Sequence, residues 1–155
     1  ECGHLVGGEN GIGTTFSAIR MLNDSCIFTH VGDSMILHSD GSRLRKISKC
    51  HTLGDELIEK HGPDAANDMP EHYMHTLTRC MGQDIDFEVD MGEQKLSPGD
   101  QLILCSDGVT NMIELDEIFS MMKNLEPKEF IHALIDAANQ NGGVDNSTAV
   151  TVRIS

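Results

Sequence analysis

Apolar and polar positions along the chain fall into short runs of two periods. Brief runs come first. Cys26 to Val31 (CIFTHV), Met35 to His38 and Arg43 to Ile47 are each a few residues long and bounded by Gly, Asp or Ser, which predicts three strands. Ser39-Asp40-Gly41 joins the second to the third and predicts a hairpin, because Asp-Gly accepts the backbone conformation of a tight turn. Thr14 to Met21 is β-rich, and Phe87 to Gln94 is strand-like. Gln101 to Cys105 is apolar on both faces, as a central buried strand must be, and Ser97-Pro98-Gly99-Asp100 turns the chain into it. From Ser147 to Ile154, Val150, Val152 and Ile154 alternate with Thr151 and Arg153, the pattern of a strand with one face buried.

The helical period appears late. Leu115, Ile118, Phe119 and Met122 share one helical face. A second helix begins near Pro127, a residue suited to the first turn because it has no N–H to leave unpaired. Phe130, Ile131, Leu134, Ile135 and Ala138 form its apolar stripe, and Gly142-Gly143 ends it. Between the early and late strands, Leu53 to His75 changes character. Asp55 to Lys60 can form a short helix, and the polar segment HGPDAANDMPEHYMH that follows, with Pro63 and Pro70, predicts a mobile excursion. Early strands and two late helices predict one α+β layered domain over residues 1–155 rather than a βαβ repeat.

Charge and composition narrow the partners. The 155 residues carry a formal net charge of -14, which repels nucleic acid, so no nucleic-acid partner is expected. A phosphorylated ligand then requires cations that invert the local field. No stretch is apolar enough to span a bilayer, and ECGHLVGGENG lacks the basic start and apolar core of a signal peptide; a cytoplasmic protein without membrane contact is expected. The five Cys are odd in number and contain no CxxC pair, which fits reduced thiols. His72 with His75, or Cys50 with His51, could be zinc ligands, but the spacing of a structural zinc site is absent, and surface or loop histidines are expected. Gly8 to Thr15 has the glycine spacing of a phosphate-binding loop without its lysine, and reads as a loop leading into a strand.

Three aspartates share one setting. Asp33 follows CIFTHV through Gly32, Asp107 follows QLILCS and precedes Gly108, and Asp145 precedes the last strand. If that strand runs antiparallel to the other two, all three carboxylates gather at one edge. Any one of them alone is accounted for by turn capping. Three together repel one another unless protonated or bound to cations, and oxygen ligands suit Mg²⁺ or Mn²⁺.

The residues around these aspartates resemble a known family. VGDS at Val31 to Ser34, SDG at Ser106 to Gly108 and DNST at Asp145 to Thr148 occur in the order and spacing of the type-2C metal-dependent serine/threonine protein phosphatases. GTT at Gly13 to Thr15, LTRCMG at Leu77 to Gly82 and LSPGDQLILCSDGVTN at Leu96 to Asn111 are also similar, so the resemblance runs from Gly13 to Ile154. It implies a four-layer α-β-β-α sandwich of two antiparallel sheets with two Mg²⁺ or Mn²⁺ ions at one edge and a third, weaker ion. It further implies that Asp107 and Asp145 are ligands of one ion, with Gly108 and Asn146 at the site's edge. Asp33 and Asn111 belong to the third-ion site, and Leu53 to His75 is a flap. The implied activity is hydrolysis of phosphoserine and phosphothreonine in proteins, by in-line attack of a water that bridges two ions.

Some family features are not found. The Asp-Gly-x-Gly-Gly motif, whose aspartate bridges both ions, does not occur before Gly13; Gly7-Gly8-Glu9 is not it. The upstream acidic ligand, phosphate-binding arginine and general-acid histidine are not found either. Met35 stands where Arg is frequent, Cys50-His51 where Asp-His is frequent, and Asn111 where an Asp for the third ion is frequent. The expectation is therefore a C-terminal portion of a phosphatase domain, incomplete at its N-terminal side. An apolar sheet face should then be exposed for a preceding segment or another chain to cover. The alternative is a catalytically dead relative that binds a phosphoprotein.

Overall fold

The computed structural model describes residues 12–67, 69–82 and 87–155. Among the described residues, seven strands and four helices follow one another: β1 Phe16–Met21, β2 Ser25–Val31, β3 Met35–Ser39, β4 Leu44–Lys46, α1 Leu53–His61, β5 Asp90–Lys95, β6 Gln101–Cys105, α2 Asp107–Thr110, α3 Leu115–Asn124, α4 Pro127–Gln140 and β7 Ala149–Arg153. They form a three-stranded sheet, β1-β2-β5, and a four-stranded sheet, β4-β3-β6-β7. Every pairing is antiparallel. The glycine-rich start through Gly11 lies outside the described residues.

The doubly apolar β6 explains the layering. It lies between β3 and β7 and faces two cores. Ile103 and Cys105, with Leu37 of β3, meet Ile118 and Met122 of α3 and Phe130, Leu134 and Ala138 of α4. On the other side Leu102 packs with Cys26 of β2 and Leu96, flanked by Ile19, Ile47, Val152 and Ile154. The helical stripes read from the sequence are the surfaces that cover this sheet.

The described residues form three of the four expected layers: three-stranded sheet, four-stranded sheet, and the α3–α4 pair. The outward face of β1-β2-β5 carries Phe16, Ile27 and Met91 at 46, 41 and 74% exposure. Their register places them together, opposite the buried Cys26.

The polar excursion after α1 holds two short 3₁₀ turns, Pro63–Asn67 and Glu71–His75. It is anchored where it begins and ends. The Thr52 hydroxyl donates to Asp55 Oδ2 at 2.7 Å and accepts from the Asp55 N–H at 3.1 Å, which caps α1. The Leu53 N–H donates to the Thr76 carbonyl at 2.9 Å, and the Thr78 N–H to the His51 carbonyl at 2.9 Å.

Candidate metal centre

The turn after β2 carries Asp33. Gly32 has φ 108°, and a Cβ there would lie 2.4 Å from Thr15 Cγ2, so glycine alone turns the chain against the start of β1. Two histidines hold this turn. The His51 N–H donates to the Gly32 carbonyl at 2.8 Å, and the Gly32 N–H donates to His51 Nδ1 at 3.1 Å. Neutral His51 therefore carries its proton on Nε2, which lies 3.3 Å from Asp90 Oδ2 but is misaligned for a hydrogen bond. His30 Nε2 donates to the Gly32 carbonyl at 3.0 Å, and its Nδ1 accepts from the Ser17 hydroxyl at 2.8 Å. Burial holds the His30 pKa below its ordinary value, opposed by the bond to Gly32. His30 and His51 are thus buried buttresses; His51 lies on a loop, and His72 and His75 are exposed.

The other two aspartates sit on loops stitched together by hydrogen bonds. The Ser106 hydroxyl donates to the Asn146 carbonyl at 3.2 Å and accepts from the Thr148 N–H at 3.0 Å. The Ser106 N–H donates to the Thr148 carbonyl at 3.0 Å, and the Ser147 hydroxyl to the Gly108 carbonyl at 2.9 Å. Gly108 marks the closest approach, where a Cβ would lie 2.5 Å from the Asn146 carbonyl oxygen. Each carboxylate is oriented by its own loop. Asp107 Oδ1 accepts from the Gly108 N–H at 2.9 Å, and Asp145 Oδ1 from the Asn146 N–H at 2.7 Å. The Asn111 side chain leans on Asp107, with Nδ2 3.4 Å from Oδ2.

These loops bring the three carboxylates into one field. The Asp33 carboxyl is pushed above its ordinary range first by burial, then by Asp107 and, more weakly, Asp145; His75 acts in the opposite direction. Asp33, Asp107 and Asn111 line a common cleft of about 140 Å³. Asp145 and Asn146 line a neighbouring, more open depression with Asn139 and Val144. Among the described residues, no three His, Cys, Asp or Glu side chains converge closely enough to hold an ion by themselves.

The donor set fits part of the shell of a hard divalent ion. The predicted ligands offer oxygen, which suits Mg²⁺ or Mn²⁺. Thr110 Oγ1, also on the cleft, is buried without a hydrogen-bond partner among the described residues. A buried hydroxyl left unsatisfied costs about 1–3 kcal/mol, so water or an oxygen ligand is favoured there. Lys46, Cys50, Thr52, Asp55, Met74 and His75 complete the cleft wall. None was singled out for this role; the flap-like segment 53–75 was the one signal, and it did not reach Lys46 or Cys50.

Comparison with known proteins gives a concordant result. The sequence model described as Protein phosphatase 2C matches residues 9–145. The protein phosphatase PhpP of Streptococcus pneumoniae is 32% identical over 148 residues, which are 94% of this chain and 59% of PhpP. The serine/threonine phosphatase stp of Listeria monocytogenes is 33% identical over 92% of this chain and 57% of its own length. Among solved structures, the S. agalactiae serine/threonine phosphatase superposes with a TM-score of 0.88 at 31% identity, covering 99% of this chain and 65% of that one. The catalytic domain of the serine/threonine phosphatase PstP in complex with two manganese ions gives 0.78 at 26% identity, over 92% of this chain and 60% of that one. The chain thus spans just under three fifths of these curated relatives.

Proposed function

The chain belongs to the protein phosphatase 2C family, and on that premise we propose that it forms part of a Mg²⁺- or Mn²⁺-dependent phosphatase acting on phosphoserine and phosphothreonine in proteins. The observation that carries the proposal is the stitched pair of loops that holds Asp107 beside Asp145, with Asp33 in the same electrostatic field. Asp107 and Asp145 are the proposed ligands of one ion, and Asp33 with the neutral Asn111 those of a weaker one. Gly108 and Asn146 form the rim. When bound, the ions supply the positive charge and Lewis acidity that phosphoryl hydrolysis needs.

The chain's own residues do the positioning. The Gly108 and Asn146 N–H groups each occupy one carboxylate oxygen, and the other oxygen of Asp107 is approached by the Asn111 amide at 3.4 Å. Segment 53–75 forms the flap, with Met74 and His75 against the cleft. The relatives named as phosphatases support hydrolysis over the catalytically dead binding module. The buried Cys26, Cys50 and Cys105 are free thiols, which supports a reducing, cytoplasmic setting.

The test is Mn²⁺-dependent hydrolysis of a phosphothreonine peptide by this chain and by a form extended at its N-terminus, with EDTA and Asp107→Asn controls. Turnover by the extended form, lost with EDTA or Asp107→Asn, is expected. No turnover by either form, although both fold, overturns the proposal in favour of the binding module.

A further inference from the structure

The cleft that holds Asp33 and Asp107 also contains Asp55, and among its described lining residues one permanent cation, Lys46. Pairing of Lys46 with Leu37 across β4 and β3 fixes the backbone at this position. The ammonium is only loosely engaged. It lies 3.6 Å from Cys50 Sγ, a weak acceptor, and 3.8 Å from Asp55 Oδ1. The other Asp55 oxygen accepts from the Thr52 hydroxyl at 2.7 Å. An ammonium has three donors, and among the described residues this one makes no full-strength hydrogen bond, in a side chain that is one-third exposed. Cys50 links this position to the turn that carries Asp33, since the Cys50 thiol also donates to the Asp33 backbone carbonyl at 3.5 Å.

We propose that Lys46 is a specificity-determining residue that receives a second anionic group of the substrate, one residue away from the scissile phosphate. The proposal rests on the phosphatase reading. Among the described residues the cation pairs with Asp55 and with neither Asp33 nor Asp107, so it is assigned to a neighbouring group and not to the reacting phosphoryl. An acidic side chain and a second phosphate share this chemistry. Retention of Lys46 solely as a tether for α1 is a weak account, because a partly exposed pair at 3.8 Å contributes little.

The test uses the protein at its full natural length with Mn²⁺. Three phosphothreonine peptides differ at the flanking positions: alanine, aspartate or phosphoserine. kcat/KM relative to the alanine peptide is compared for wild type, Lys46→Met, Lys46→Arg and Lys46→Glu, after circular dichroism has verified folding. Wild type is expected to prefer the anionic peptides by roughly two- to fivefold. Lys46→Met removes the preference, Lys46→Arg retains it, and Lys46→Glu inverts it. A larger preference for aspartate than for phosphoserine assigns the site to acidic residues, and the reverse assigns it to a second phosphate. A wild-type ratio near unity, or one unchanged in Lys46→Met and Lys46→Glu, overturns the inference. If no peptide is hydrolysed, the phosphatase reading fails separately. The same ratios are then read as Kd by fluorescence anisotropy, with the same outcomes for Lys46.

Discussion

Gly108→Ala sets two physical effects against each other at the centre of the site. Gly108 lies in the single helical turn Asp107–Thr110 without a positive φ. Helix propensity alone therefore favours alanine there by about 1 kcal/mol. Packing opposes it. The new Cβ would lie 2.5 Å from the Asn146 carbonyl oxygen, 3.0 Å from its carbon and 3.3 Å from the Asp145 oxygen. These are backbone atoms, so no rotamer change relieves the overlap, and the 145–147 loop must retreat by about 1 Å to restore ordinary contact. That retreat breaks the 2.9 Å bond from the Ser147 hydroxyl to the Gly108 carbonyl. Overpacking costs about 1–3 kcal/mol and the lost bond about 1 kcal/mol, which outweighs propensity. The net loss is about 1–3 kcal/mol, or a fall in Tm of roughly 2–12 °C for a domain of this size. Separation of Asp107 from Asp145 should also weaken Mn²⁺ binding about tenfold, which is ~1.4 kcal/mol. Thermal melting in EDTA and calorimetric Mn²⁺ titration measure the two effects. A raised Tm with unchanged Mn²⁺ affinity would refute the stitched-loop geometry.

Three further outcomes follow from burial and charge. The folded pKa of Asp33 lies above the ordinary 3.8, so its contribution is fully present below that value and is lost as pH rises through the raised one; at pH 7 in EDTA, Asp33→Asn should melt higher than wild type, with Mn²⁺ narrowing the gap, and equal metal-free melting curves contradict this. The folded pKa of His30 lies below 6.5, so the unfolded chain takes up a proton the folded one refuses, and stability falls as pH drops from 6.5 toward the depressed value. Urea midpoints across that window should slope less in His30→Asn, and an identical slope counts against the buried neutral imidazole. Phe130 is fully buried between α4 and the four-stranded sheet; Phe130→Ala should cost about 3–5 kcal/mol by chemical denaturation, and a loss under 1 kcal/mol would misplace the core.

Local pattern was a good guide where one residue period decides the structure. The strand from Gln101 to Cys105 was legible because both of its faces are apolar, and it is the strand that faces two cores. The Asp40-Gly41 hairpin was legible because turn chemistry is local: Asp40 Oδ1 accepts from the Ser42 N–H at 2.9 Å and from the Ser42 hydroxyl at 2.6 Å. The three aspartates were legible as a set through their shared position beside strands. The burial of His30 and His51 was not. Both satisfy backbone groups of Gly32, and nothing local distinguishes a histidine that caps a distant turn from one in solvent. Lys46 and Cys50 were missed as cleft residues for the same reason, and His75 was reached only as the end of the flap-like segment. They meet across the end of β4, the loop after it and the second 3₁₀ turn, and only the tertiary fold brings those segments to one cleft.

The stitched loops also bear on how a cluster of like charges persists before any cation arrives. Carboxylates do not draw one another together, so the attraction that positions Asp107 and Asp145 must come from elsewhere. It comes from neutral donors and acceptors: the Ser106 and Ser147 hydroxyls and the backbone of Ser106, Gly108, Asn146 and Thr148. Four such bonds at about 1 kcal/mol each can offset the mutual repulsion of partly solvated charges. Burial raises the pKa of Asp33, and the repulsion from Asp107 and, more weakly, Asp145 adds to it. A divalent ion relieves that repulsion and leaves the hydrogen bonds intact. Loop geometry should therefore change little on metal binding, whereas the proton affinity of Asp33 should fall. A carbonyl-labelled infrared titration of Asp33 with and without Mn²⁺ separates these two quantities. Large shifts in the amide signals of 106–108 and 145–148, with the Asp33 carboxyl band unmoved, would mean that the ion builds the loops instead of entering a site already made.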